Sequence, residues 1–335
     1  MPRSTTDPLA GEARAGWLDA ARGVGIVLVV LGHALRGIES SPAELDPGLF
    51  AAADSMIYLF HMPLFFVLAG MPFPRSAAKT SPRGFLRTRG ARLLAPMLIW
   101  TYLFLALRAL AGPAANSPVG FADLLRWPLP PYEHLWFLWA LFLIQAASFA
   151  GFALSRALGW ATLAVLAAAG PAALILGLVP LEALPILENA LLHMPFFALG
   201  AFVGVPLLAG LWRPWIGWIG LAVFALCLAD AGLAPRAEGL RAHFLMALAA
   251  ALGLILAIRG SALGRLRWAA ALGRASLFIY LAHTVFSGAV RIALLQAGIE
   301  DPALHLALGV AAGLAGPMLL APLLRRTPLG PALGA

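Results

Sequence analysis

Two ionisable side chains interrupt the first apolar run of this sequence. Between Trp17 and Arg36 the chain reads WLDAARGVGIVLVVLGHALR, with Arg22 and His33 eleven positions apart. A helix turns about 100° per residue, so the two return to nearly one face, roughly 16 Å apart along the axis. Ile26 and Val29 lie between them on that stripe. A cation and an imidazole kept in line inside an apolar segment are costly in lipid, and by default they mark a functional site. A second reading stands beside this one. Arg22 lies close enough to the segment's start to snorkel to the headgroups, and His33 near its other end suits a neutral, interface-facing imidazole.

Further groups of the same kind recur along the chain. FHMPLFFVLAG (Phe60 to Gly70) and LHMPFFALG (Leu192 to Gly200) each set a histidine, His61 or His193, two residues before a proline. Proline loosens the helix and frees a carbonyl, so each pair either opens a polar cavity or anchors a kinked helix at the interface. The stretch from Arg75 to Arg92 gathers six cations and ends in Arg89 and Arg92. Two guanidinium forks three residues apart suit phosphate oxygens, while anionic headgroups account for basic residues equally well. HLWFLWALF (His134 to Phe142) reads as an aromatic belt carrying Trp136 and Trp139. SLFIYLAHTVFSG places Tyr280 and His283 near mid-segment, where both need partners inside a bundle. The sequence contains no H-E-x-x-H, G-x-S-x-G or Walker pattern, so no metal is expected and acid–base or nucleophilic work falls to the histidines.

The elements that must position these groups follow from composition. Of 335 residues, 61% are hydrophobic and 11% charged, and the mean hydropathy is +0.89. A soluble globule does not have this balance, and the reading is an all-α, polytopic integral membrane bundle. About twenty apolar residues per span gives ten candidate helices, near 17–36, 53–73, 92–111, 134–154, 158–178, 189–209, 214–230, 242–258, 274–296 and 303–323. With the amino terminus cytoplasmic, fifteen Lys and Arg residues fall on the inner side and four (Arg36, Arg126, Arg236 and Arg241) on the outer. The acids lie mostly outside, so ten helices with both termini cytoplasmic obey the positive-inside rule. The net charge of +8 thus belongs to topology and not to nucleic acid. The expected organisation is a tail at 1–16, an uncleaved signal-anchor opening a membrane domain at 17–323, and a tail at 324–335, with no appended soluble module. Cys227, the one cysteine, can form neither an internal disulfide nor a thiolate cluster.

In order and spacing, LDAARGVGIVLVVLGHAL, FHMPLFFVLAG, RGARLLAPMLIW, HLWFLWALF and SLFIYLAH resemble the membrane-bound acyltransferase-3 family of bacterial O-acyltransferases. The resemblance covers essentially the whole chain. It departs where many relatives carry Ser-Gly and this sequence has Ala69 and Gly70. It implies an enzyme of the bacterial inner membrane that moves an acyl group, acetyl foremost, from cytoplasmic acyl-CoA to a hydroxyl of an envelope glycan or lipid-linked sugar. His33 would be the catalytic base or acyl carrier, and Arg22 would position or polarise the thioester carbonyl. Arg89 and Arg92 would grip the acyl-CoA phosphates. Asp19, one turn before Arg22, is expected from spacing to orient it, with His61, Trp136, Tyr280 and His283 in support. The competing expectation is a secondary transporter or flippase for an envelope precursor, since kinked helices with buried ionisable groups also describe those.

Overall fold

The computed structural model describes residues 8–43, 45–112, 119–125, 128–175, 184–210, 213–235 and 243–335. Asp-Pro and Ser-Pro pairs start several helices, because proline is preformed for the first helical position and the preceding side chain caps the free amides. Asp46 accepts from the Leu49 amide at 2.7 Å, Asp301 from Leu304 at 2.7 Å and Ser81 from Gly84 at 3.1 Å. The helices are α1 (Pro8–Glu39), α2 (Pro47–Gly70), α3 (Phe73–Ala77), α4 (Pro82–Arg89), α5 (Ala95–Ala111), α6 (Trp136–Leu154) and α7 (Arg156–Ile175). They continue with α8 (Glu188–Gly210), α9 (Pro214–Leu233), α10 (Phe244–Gly260), α11 (Arg267–Arg274), α12 (Ser276–Gln296) and α13 (Pro302–Leu324). A π-helical turn, Gly90–Leu94, joins α4 to α5. Among the described residues there is no strand.

The long helices overlap the ten expected stretches. The ends of the fifth and the start of the eighth, at 176–178 and 242, lie outside the described residues, as do Arg126, Arg236 and Arg241. Seven helical segments are long and apolar enough to cross a membrane by length and composition. They are Gly16–Glu39, Pro47–Ala77, Pro82–Ala111, Glu133–Leu154, Pro214–Leu233, Ser276–Gln296 and Pro302–Leu324. The outward face of α9 exposes Trp215, Trp218, Ile219, Leu221 and Leu226. A helix apolar on all sides is stable on a bundle's rim only where lipid is the solvent.

The bundle is centred on α1, which packs against α2, α11, α12 and α13. Its Ala20, Ala21, Ile26, Val29 and Val30 are buried. Small residues draw the helices together. A Cβ on Gly70 would meet the Phe197 carbonyl, and one on Gly200 would meet the Val67 carbonyl. That reciprocal contact gives the two similar stretches a physical setting: α2 and α8 lie side by side in the same direction, and each glycine admits the other's backbone. The expected opening at the prolines does not occur. α2 runs unbroken through Pro63, and the non-helical residue in α8 is Gly204, at φ 51°.

Candidate active site

Two cavities enter the bundle from opposite ends. The first, about 490 Å³, lies at the end bearing Arg75 to Arg92, here the basic end. Its lining includes Asp19 and Arg22 from α1, Ser76 from α3, Arg89 and Arg92, Gln145 from α6, and Arg274 and Tyr280. The π turn places Arg92 on the same cavity as Arg89, whose Nη2 donates to Ser76 Oγ at 2.9 Å. Arg22 donates to Asp19 at 2.8 Å, the contact their spacing suggested. Four guanidiniums and one carboxylate thus line this cavity among the described residues, a setting that suits an anion with several phosphate oxygens.

The second cavity, about 400 Å³, opens at the far end. His33, Arg36, Arg108, Glu133, Thr284, Ser287 and Arg291 line it with apolar Phe104 and Leu107. Two bidentate ion pairs sit here. Arg36 Nε and Nη2 reach the Asp54 carboxylate at 2.6 and 2.9 Å, and the guanidinium lies 3.2 Å from the centroid of the Tyr58 ring. Arg108 Nη2 donates to Glu133 at 2.8 Å, with a second contact at 2.5 Å.

The cavities share no lining residue. Between them stand three histidines, one from each of three elements that run past both cavities. α1 lines the basic cavity with Arg22 and the far cavity with His33. The chain entering α6 passes from Glu133 on the far cavity through His134 to Phe137 on the basic one. α12 passes from Tyr280 through His283 to Thr284. The ring centroids of His33, His134 and His283 are 5.0 to 5.4 Å apart. His283 is wholly buried and His134 is 7% exposed. Tyr280 joins the layer by donating its hydroxyl to the His134 carbonyl.

The structure therefore separates some residues that sequence grouped and unites others that it did not. Arg22 and His33 share a stripe but not a cavity, so Arg22 cannot act on a carbonyl held at His33 in this arrangement. His61 lines neither cavity. It is 2% exposed, donates Nδ1 to the Ile57 carbonyl at 2.8 Å and packs against Tyr58. His193 mirrors it, donating to Asn189 at 2.8 Å and stacking on Phe66. Trp136 is not a belt residue facing lipid: it packs on His193 and Phe66, 5.0 and 6.2 Å between ring centroids. Trp139 donates Nε1 to the Ile186 carbonyl at 2.8 Å. Sequence reasoning missed His134, which looked like the first letter of an aromatic string, and it missed the two ion pairs. One signal was available. His33 and His134 both fall at the far ends of their apolar stretches, which puts two imidazoles on the same side of the bundle.

Comparison with known proteins supports the same assignment. The acyltransferase-3 family model, described as an acyltransferase domain, matches residues 15–322. The chain is 32% identical over 185 residues to nodulation protein NolL of Sinorhizobium fredii, covering 54% of this chain and 46% of that protein. It is 31% identical over 126 residues to nodulation protein NolL of Mesorhizobium japonicum, covering 37% and 32%. The matched stretches thus amount to less than half of those two relatives' own lengths. No solved structure matches the chain. A family match that takes in α1 through nearly all of α13, and with them both cavities and the histidine layer, places this chain in the acyltransferase-3 family.

Proposed function

We propose that the chain is an integral membrane O-acyltransferase. All ten long helices cross the bacterial inner membrane, with both termini and the basic end in the cytoplasm. Acyl-CoA, acetyl-CoA foremost, enters the basic cavity, and a hydroxyl of an envelope glycan or lipid-linked sugar enters the far cavity. One observation carries this reading: two cavities of different chemistry approach from opposite ends and meet at three imidazoles without merging. Such a shape suits passing an acyl group across while each carrier stays on its own side. Membership of an acyltransferase family favours chemistry over unassisted passage of a precursor.

The residues divide the work accordingly. Arg89, Arg92, Arg22 and Arg274 hold the donor's phosphates, and Asp19 keeps Arg22 extended toward the cavity. His33 takes the proton of the acceptor hydroxyl as its oxygen forms a bond to the thioester carbonyl carbon. The carbon–sulfur bond then breaks, CoA leaves as thiolate, and the thiolate takes up a proton. A positioned general base contributes about 10²- to 10⁴-fold to such a step. The test is consumption of acetyl-CoA by the purified chain together with envelope glycan. His33→Ala should abolish transfer while acetyl-CoA still binds. Transfer at the wild-type rate by that variant would remove His33 from the mechanism.

A further inference from the structure

We infer that His283 is a positioning residue for His33: its Nε2 accepts the N–H of one His33 ring nitrogen and so commits the other to the far cavity as the base. This rests on the acyl-transfer reading above and assigns a role to a residue that reading leaves unused. The argument starts from the backbone of α12. His283 Nδ1 lies 3.0 Å from the Ile279 carbonyl and 2.8 Å from the Tyr280 carbonyl. Carbonyl oxygens only accept, so Nδ1 carries the proton and Nε2 carries the lone pair. His283 is wholly buried, and Nε2 has no hydrogen-bond partner among the described residues. A buried acceptor left without a donor is destabilising, and His33 is the nearer of the two imidazoles packed beside it.

The separation fits. An N–H···N bond of roughly 3 Å plus the ring radius at each end puts two hydrogen-bonded imidazole centroids about 5 Å apart. The His33 and His283 centroids are 5.0 Å apart with the planes at 55°. Such contacts commonly tighten only when substrate binds. His134 sits 5.4 Å from both rings; of the three, it is His283 whose Nδ1 is held by two backbone carbonyls and whose ring lies nearest to His33. The logic is that of any oriented base: a second group fixes the tautomer, and the free nitrogen meets the substrate. Here the second group is a neutral imidazole, which suits a site closed off from water.

The test reads the tautomer directly. The full chain, labelled with ¹⁵N-histidine in lipid bilayers and assigned with a His33→Gln variant, should show one tautomer at His33 and a nitrogen–nitrogen coupling to His283. His283→Gln, whose side-chain oxygen replaces the Nε2 acceptor, should keep that single tautomer. His283→Phe should show a mixture, and its turnover of acetyl-CoA should fall about 10²-fold or more at unchanged KM for acetyl-CoA. A mixed tautomer at His33 in the unaltered chain, or an unchanged one in His283→Phe, overturns the proposal. An unaltered chain that shows the coupling but consumes no acetyl-CoA refutes the enzymatic reading and leaves the positioning contact intact.

Discussion

Substituting alanine at Gly273 should damage both the bundle and its donor cavity. Gly273 on α11 lies against the Asp19 carbonyl of α1, and Gly23 on α1 lies against the Ala269 carbonyl of α11. Side-chain carbons essentially never approach other atoms closer than 3.0 Å. The opposing atoms are backbone, which cannot rotate aside, so the two helices must separate by on the order of 1 Å. Overpacking of this kind costs about 1–3 kcal/mol. The separation also moves Arg274 away from Arg22 across the basic cavity. The expected result is a loss of about 1–3 kcal/mol of unfolding free energy in mixed detergent micelles, with a severalfold rise in KM for acetyl-CoA. Gly23→Ala should behave alike, and the double variant should cost less than the sum, by at least about 0.5 kcal/mol, because the first substitution already parts the helices. Gly16→Ala, where nothing lies within 4 Å, is the control and should be neutral or slightly stabilising. Gly273→Ala with unaltered stability and KM, or strict additivity of the pair, would refute the reasoning.

Charge reversal at Arg89 and Arg92 should weaken acetyl-CoA binding far more than reversal at Arg325 and Arg326, measured by calorimetry on the purified chain; equal effects would reduce the first pair to topology. Removing the half-exposed Arg108–Glu133 pair with Arg108→Met should change stability by less than about 1 kcal/mol, yet raise KM for the acceptor and leave that for acetyl-CoA unchanged. His193→Phe should retain transfer, since the ring stacks on Phe66 and lines neither cavity; a rate loss above about tenfold would return His193 to the site. Tyr280→Phe removes the hydrogen bond to the His134 carbonyl and should cost about 1 kcal/mol of stability, read from the same micelle titration.

Much of this architecture is written in local sequence. Asp46-Pro47, Ser81-Pro82 and Asp301-Pro302 announce helix starts because cap and proline act within one turn. Arg22, Asp19, Arg89 and Arg92 were legible because hydropathy makes a charge inside an apolar run conspicuous and helical spacing sets its neighbours. Convergence was not legible. His33, His134 and His283 meet only because α1, α12 and the turn leading into α6 come together at one point, and no periodicity reports which elements become neighbours. The same holds for Arg36 and Asp54, which sequence placed at the ends of two separate spans, although the structure joins them beside Tyr58. Trp136 illustrates the complementary limit: its position near a helix end matched an interfacial belt, while the partners it packs on, Phe66 and His193, lie on other helices.

The closed layer between the two cavities also bears on the energetics of the cell that holds this protein. A bundle hollowed from both faces lacks only a few side chains of becoming a pore, and each elementary charge that leaked through it would dissipate about 2.3 kcal/mol per 100 mV of membrane potential. The barrier is a layer of three imidazoles within 5.4 Å of one another, tight enough to hinder a continuous column of water. In any membrane that holds an ion gradient, the tight packing of this layer is a condition for keeping that gradient.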